Sequence, residues 1–142
     1  MEEKMYISKL IYMALALLLL VSCSISDDTK LAKYQVDTFH ALLSSGKYNT
    51  IYSSASSDLQ SATTMNDFIE LLSAVGRKLG ITKSSSNVSW NVNYHTSGTF
   101  VTLTQNTEFE HGDAEETFVY RIVDDRALLA GYHISSNALV IR

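Results

Sequence analysis

VSWNVNYH, residues 88–95, alternates without a slip: Val88, Trp90, Val92 and Tyr94 against Ser89, Asn91, Asn93 and His95. A period of two is what a β-strand with one wetted face requires, because successive side chains point to opposite faces. Downstream the same period returns three times. His95-Thr-Ser-Gly98 reads as a turn, and Val101, Leu103, Thr107 and Phe109 continue a second strand. His111-Gly112-Asp113 reverses the chain into a third, with Phe118, Tyr120 and Ile122 on one face and Val119, Arg121 and Val123 on the other. Asp124-Asp125-Arg126 turns it again into a fourth, Leu128 to Ile134. Four strands joined by short turns predict an antiparallel meander.

Upstream the spacing is helical. Leu31, Tyr34, Thr38, Phe39, Leu42 and Leu43 form one amphipathic pattern, broken at Ser45-Gly46. Tyr48, Ile51, Tyr52, Ala55 and Leu59 predict a second, shorter helix with two tyrosines on its buried stripe. For the third, Thr64 caps with Asp67 three residues on, and Phe68, Leu71, Leu72, Val75 and Leu79 make the apolar face. Arg77 and Lys78 suit the negative end of its dipole, and Gly80 the left-handed position beyond it. The predicted class is therefore α+β, three N-terminal helices packed on a curved antiparallel sheet of about four strands.

The first 22 residues stand apart. Leu10 to Val21 is an apolar run of twelve, too short for the roughly twenty residues a membrane-crossing helix needs, and it reads as the core of a signal peptide. Lys4 and Lys9 give the positive flank, opposed by Glu2 and Glu3; a start at Met5 gives the cleaner leader. Leu20-Val21-Ser22-Cys23 resembles the bacterial lipobox. The resemblance implies diacylglycerol on the Cys23 thiol, cleavage before it and acylation of the new amino terminus, enough chains for stable anchoring. Cys23 is the only cysteine, so an exported chain has no disulfide to form. The expected organisation is signal peptide 1–22, lipidated tether 23–30 and one domain over 31–142, held on the membrane by lipid at Cys23. Ser24 in place of the aspartate of inner-membrane retention favours the outer membrane, periplasmic face, where there are two. Removing the leader leaves the net charge at −4, and no basic face is present for nucleic acid.

Two stretches resemble a known family. Gly46-Lys47-Tyr48, Ile51-Tyr52, Ala55-Ser56, Phe68, Leu72, Arg77 and Leu79-Gly80-Ile81, then Ala114-Glu115-Glu116-Thr117-Phe118 and Leu129-Ala130-Gly131-Tyr132-His133-Ile134, are similar to the bacterial lipoproteins carrying domain of unknown function 4019. The family commonly has tryptophan where Phe68 stands and near Ala127. The resemblance extends to the wider cystatin-like, nuclear-transport-factor-2-like group. It implies a curved sheet wrapping a long helix, with an apolar cavity at the open end. Tyr48, Tyr52, Trp90, Val92, Tyr94 and Tyr132 are the candidate cavity-lining residues, and Trp90 is expected to be largely dry.

No sequence motif selects a catalytic set. His40, His95, His111 and His133 lack metal-ligand spacing, and Glu108, Glu110, Asp113, Glu115 and Glu116 read as a solvated acidic hairpin before a hard-cation site. An acid–base pair of Asp37 with Tyr52 or His133 is the enzymatic alternative, as in isomerases and dehydratases of the broad fold group. The expectation is a non-catalytic envelope module without cofactor, binding a small apolar ligand or an envelope protein through its cavity. Against it stand that small acid–base enzyme and an interaction adaptor with no open cavity.

Overall fold

The computed structural model describes residues 2–140, and for residues 15–26 the backbone alone. Helix α1 runs Glu2–Ser44, α2 Tyr48–Ser53, α3 Ser57–Ala62 and α4 Met65–Leu79; strands β1 Thr82–His95, β2 Gly98–Phe109, β3 Gly112–Val123 and β4 Arg126–Ser135 follow, and α5 Asn137–Val140 ends the description. The class is α+β, and the strands form one open antiparallel sheet in the order β1-β2-β3-β4.

The meander expectation holds strand by strand. His95 pairs with Gly98, Phe109 with Gly112 and Val123 with Arg126, so each connection is a tight reversal. Asp124 and Asp125 both take positive φ, 48° and 57°, as a two-residue hairpin of right-handed strands demands. Alternation sets the buried face: Val101, Leu103, Gln105, Thr107 and Phe109 on β2, then Ala114, Glu116, Phe118 and Tyr120 on β3. Three shifts interrupt the register, at Thr82/Ser84 and Asn87/Ser89 in β1 and opposite Val119/Tyr120 in β4. β1 begins earlier than expected, taking Ser84-Ser85-Ser86 into the sheet.

Among the helices α4 follows its sequence closely. Thr64 Oγ1 accepts from Asp67 N–H at 3.2 Å and donates to its carboxylate at 2.7 Å. Phe68, Leu72, Val75 and Leu79 are buried, while Leu71 is exposed. Gly80 has φ +78°, and a Cβ there would meet Glu110 Oε2 at 2.6 Å, so both backbone and neighbour require glycine.

Two expectations are corrected. The helix expected from Tyr48 to Leu59 is two, because Ser54 Oγ turns back to the carbonyls of Thr50 and Ile51 and the Ser56 N–H is taken by Leu129 O in β4, at 2.9 Å. On α1 the buried stripe is Ala32, Val36, Phe39 and Leu43, which leaves Tyr34 68% exposed on its flank. The residues Ser24–Lys30, within the expected tether, continue α1, a stretch with no glycine or proline to break it and an Asp27–Lys30 ion pair at 3.7 Å. No described helix is long and apolar enough to cross a membrane.

Candidate functional site

Glu116 sits in phase with Ala114, Phe118 and Tyr120 and is 0% exposed, a carboxylate at a core position. A buried charge persists only when its oxygens are satisfied, and here side chains from three elements do so. His40 Nε2 of α1 lies 2.7 Å from Oε2. Thr107 of β2 donates to the same oxygen at 2.5 Å, and Tyr132 of β4 donates to Oε1 at 2.7 Å. In the tautomer with its proton on Nε2, the His40 imidazole donates to this oxygen. The chain continues outward: with its own proton on Glu116, Thr107 Oγ1 accepts from Ser85 Oγ at 3.0 Å, and Gln105 Oε1 lies 3.3 Å from the same hydroxyl.

Aromatic rings seal the cluster. Phe109 and Phe118 meet the His40 imidazole edge to face, and Phe39 packs on both Phe118 and Tyr132, with ring centres 5.0 and 4.8 Å apart. Burial first, then the Glu116 charge and its hydrogen bond, hold the Tyr132 phenol well above the ordinary tyrosine range. The neighbouring Tyr120 phenol is raised by burial, with Glu116 and Asp37 adding to it, and its Oη is buried without a hydrogen-bond partner.

On the other side of Phe39 and Tyr120 the surface opens into a groove of about 530 Å³ between α1, α2 and β4. Leu31, Leu42, Ile51, Ala127 and Leu129 give it an apolar lining. Asp125 and Arg126 border it at the β3–β4 turn. Asp28 of α1 is close enough to that turn to feel it: burial, then Asp125 and Asp27, raises its carboxyl. A second hollow, about 570 Å³, is polar and lies along the opposite sheet face among Ser84, Asn106, Glu108, Asp113, Glu115 and Ser135.

The candidate cavity-lining residues are not brought together. Tyr52 is buried with its phenol on the carbonyls of Thr63 and Gln60, Tyr48 packs on Gly76, and Tyr132 belongs to the Glu116 cluster. Trp90 and Tyr94 are 52% and 55% exposed, so the expectation of a dry tryptophan is overturned. Its phase was correct, since Trp90 faces with Leu103 and Val92 with Val101, but no helix extends over this half of β1. None of the six borders the groove. Cys23 lies among the residues whose side chains are not described.

The enzymatic pair is not assembled either: Asp37 and His133 are exposed and the Tyr52 phenol is committed elsewhere. The acidic hairpin divides, with Glu116 inside, Glu108, Asp113 and Glu115 on the polar face and Glu110 accepting from Ile81 N–H. His95 and His111 are exposed, on a strand end and a turn. Among the described residues no group of three or more His, Cys, Asp or Glu is placed to hold a metal. Sequence reasoning missed His40 with Glu116. The available signal was a glutamate in phase with Phe118 and Tyr120, and a histidine beside Phe39 on the buried face of α1. No protein-family model matches the chain, and no curated protein is similar enough to count as a match.

Proposed function

We propose that the chain is a membrane-anchored envelope lipoprotein whose domain is a non-catalytic binding module, and that the groove between α1, α2 and β4 holds an elongated apolar ligand such as an acyl chain. The observation that carries this is the groove itself, about 530 Å³ with an apolar lining and an open mouth, a size in the usual range of small-molecule sites. The Glu116 cluster argues against chemistry in the core, since each of its oxygens is already engaged and none faces solvent.

Position supports a lipid ligand. Leu31, the first groove residue, lies about 12 Å along α1 from Cys23 at the helical rise. A chain lipidated at Cys23 and cleaved before it holds the groove beside the headgroups, on the periplasmic face of the outer membrane in an organism with two. In this account the domain is a divergent member of the cystatin-like, nuclear-transport-factor-2-like group related to domain of unknown function 4019. The long helix against an antiparallel meander is what supports that kinship.

Two experiments test the proposal. Cys23→Ser should leave uncleaved, unlipidated precursor, seen by intact mass; a wild-type chain starting elsewhere than residue 23 contradicts the anchor. Leu128→Glu, at the half-buried rim, should weaken retention of a radiolabelled fatty acid by about tenfold or more by placing a charge against the apolar chain. Equal retention by wild type and variant contradicts the groove.

A further inference from the structure

β1 and β4 are the two edges of the sheet, and the fold treats them differently. On β4, Leu129 O accepts from Ser56 N–H, and α3 lies against the strand. On β1, among the described residues, a hydrogen bond from outside the sheet holds only the start, Thr82 N–H on Ser44 Oγ at 3.2 Å. From Ser84 to His95 every residue but Val92 is exposed, and the stretch contains no Lys, Arg, Asp, Glu or Pro. Those are the residues with which natural edge strands prevent pairing. Trp90, Val92 and Tyr94 meanwhile extend the apolar alternation of the core face onto this bare edge.

We propose that β1 is an interface between two copies of the chain, paired antiparallel from Ser89 to His95 about a two-fold axis at Val92, which joins two four-stranded sheets into one. In that register Trp90 of each copy faces Tyr94 of the other, and Val92 faces its counterpart. On the opposite face Asn91 meets Asn93. No like charges oppose one another. The register shift at Asn87/Ser89 ends the pairable stretch on one side and the hairpin turn ends it on the other. The paired segment spans about 23 Å; with the two aromatic pairs covered, on the order of 1,000 Å² leaves water in total, the size at which a specific contact becomes stable. An isologous two-fold closes on itself and covers the half of the β1 edge that carries Trp90, Val92 and Tyr94. A membrane is the poorer occupant for this patch, because interfacial binding uses Lys and Arg beside the aromatics and none lies between Ser84 and His95.

The test is the mass of the full chain in mild detergent under reducing conditions, by sedimentation. Wild type should be a dimer. Val92→Lys and Val92→Glu should each dissociate it, weakening association by roughly 100-fold through like charges at the axis, with unchanged far-ultraviolet circular dichroism. Mixing the two variants should restore the dimer, which a folding defect could not do. Wild type monomeric at about 100 μM overturns the proposal, as does a dimer that survives Val92→Lys. A chain that stays monomeric while vesicles shift its Trp90 emission also overturns it, in favour of a membrane contact.

Discussion

His40 Nε2 stands 2.7 Å from Glu116 Oε2, joining residues 76 positions apart and fastening α1 to the middle of β3 inside a ring of aromatics. Both side chains are buried. Removing either partner strands a polar group with no access to water. Glu116→Ala and His40→Ala should each lower the unfolding free energy by about 3–5 kcal/mol. The double variant should cost less than the sum, with a coupling of about 1–3 kcal/mol. Denaturant titration of the four proteins checks this, and additive losses would show that the contact contributes nothing of its own.

The two tyrosines beside that pair, Tyr120 buried and Tyr132 half-buried, should behave oppositely. Tyr132→Phe takes a donor from Glu116 Oε1 and should cost about 1–3 kcal/mol. Tyr120→Phe deletes a buried hydroxyl without a hydrogen-bond partner and should leave stability unchanged or raise it by about 1 kcal/mol. Both phenols are raised from an ordinary value of 10.0, so the folded state keeps protons that the unfolded chain releases. Their contribution is complete below about pH 10 and is lost as pH rises beyond it. Wild type should weaken in that window, and Tyr132→Phe should weaken less steeply.

Asp58 sets the acid limb. The Arg121 guanidinium donates to both its oxygens at 3.0 Å, and this hydrogen bonding, aided by Ser56, holds the carboxyl below its ordinary value of 3.8. Arg121 also reaches Ser97 O in the β1–β2 turn, so the pair ties α3 to the far end of the sheet. A depressed folded value means stability that is present above about pH 4 and lost as pH falls through the folded value. Asp58→Asn should therefore flatten the stability profile below about pH 4. An unchanged acid limb would show the pair to be screened by solvent.

Much of this architecture can be read before folding because its signals are local. Phe68, Leu72, Val75 and Leu79 repeat at helical spacing behind a Thr64 cap, and the sheet alternates between turns made of Gly, Asp and Ser. What escaped depends on distant partners. The break between α2 and α3 is fixed by Leu129 accepting from Ser56, a bond between residues remote in sequence, while the apolar spacing runs on through it. For Trp90 the alternation gives the right phase and not the environment, since it fixes a face but says nothing of which helix covers it. Composition groups Glu116 with its acidic neighbours, although its phase with Phe118 and Tyr120 places it inside.

The α4 core offers a direct check on that local legibility. Leu72 is 0% exposed, so Leu72→Ala should cost about 2–5 kcal/mol, whereas Thr64→Ala, losing one exposed cap, should cost about 1 kcal/mol. Thermal or chemical unfolding ranks the two. Equal losses would mean that the α4 face is peripheral to the core.

The claim that the groove between α1, α2 and β4 is a site for an apolar chain is tested most directly by photolabelling. The full chain in vesicles is irradiated with a fatty acid bearing a diazirine near its methyl end, and the modified residues are mapped by mass spectrometry. The account predicts saturable labelling confined to Leu31–Leu42 of α1, Ile51–Ser54 at α2 and Ala127–Leu129 of β4, displaced by unlabelled fatty acid and reduced in Leu128→Glu. Labelling that follows the exposed residues of β1, or that neither saturates nor is displaced, would contradict it.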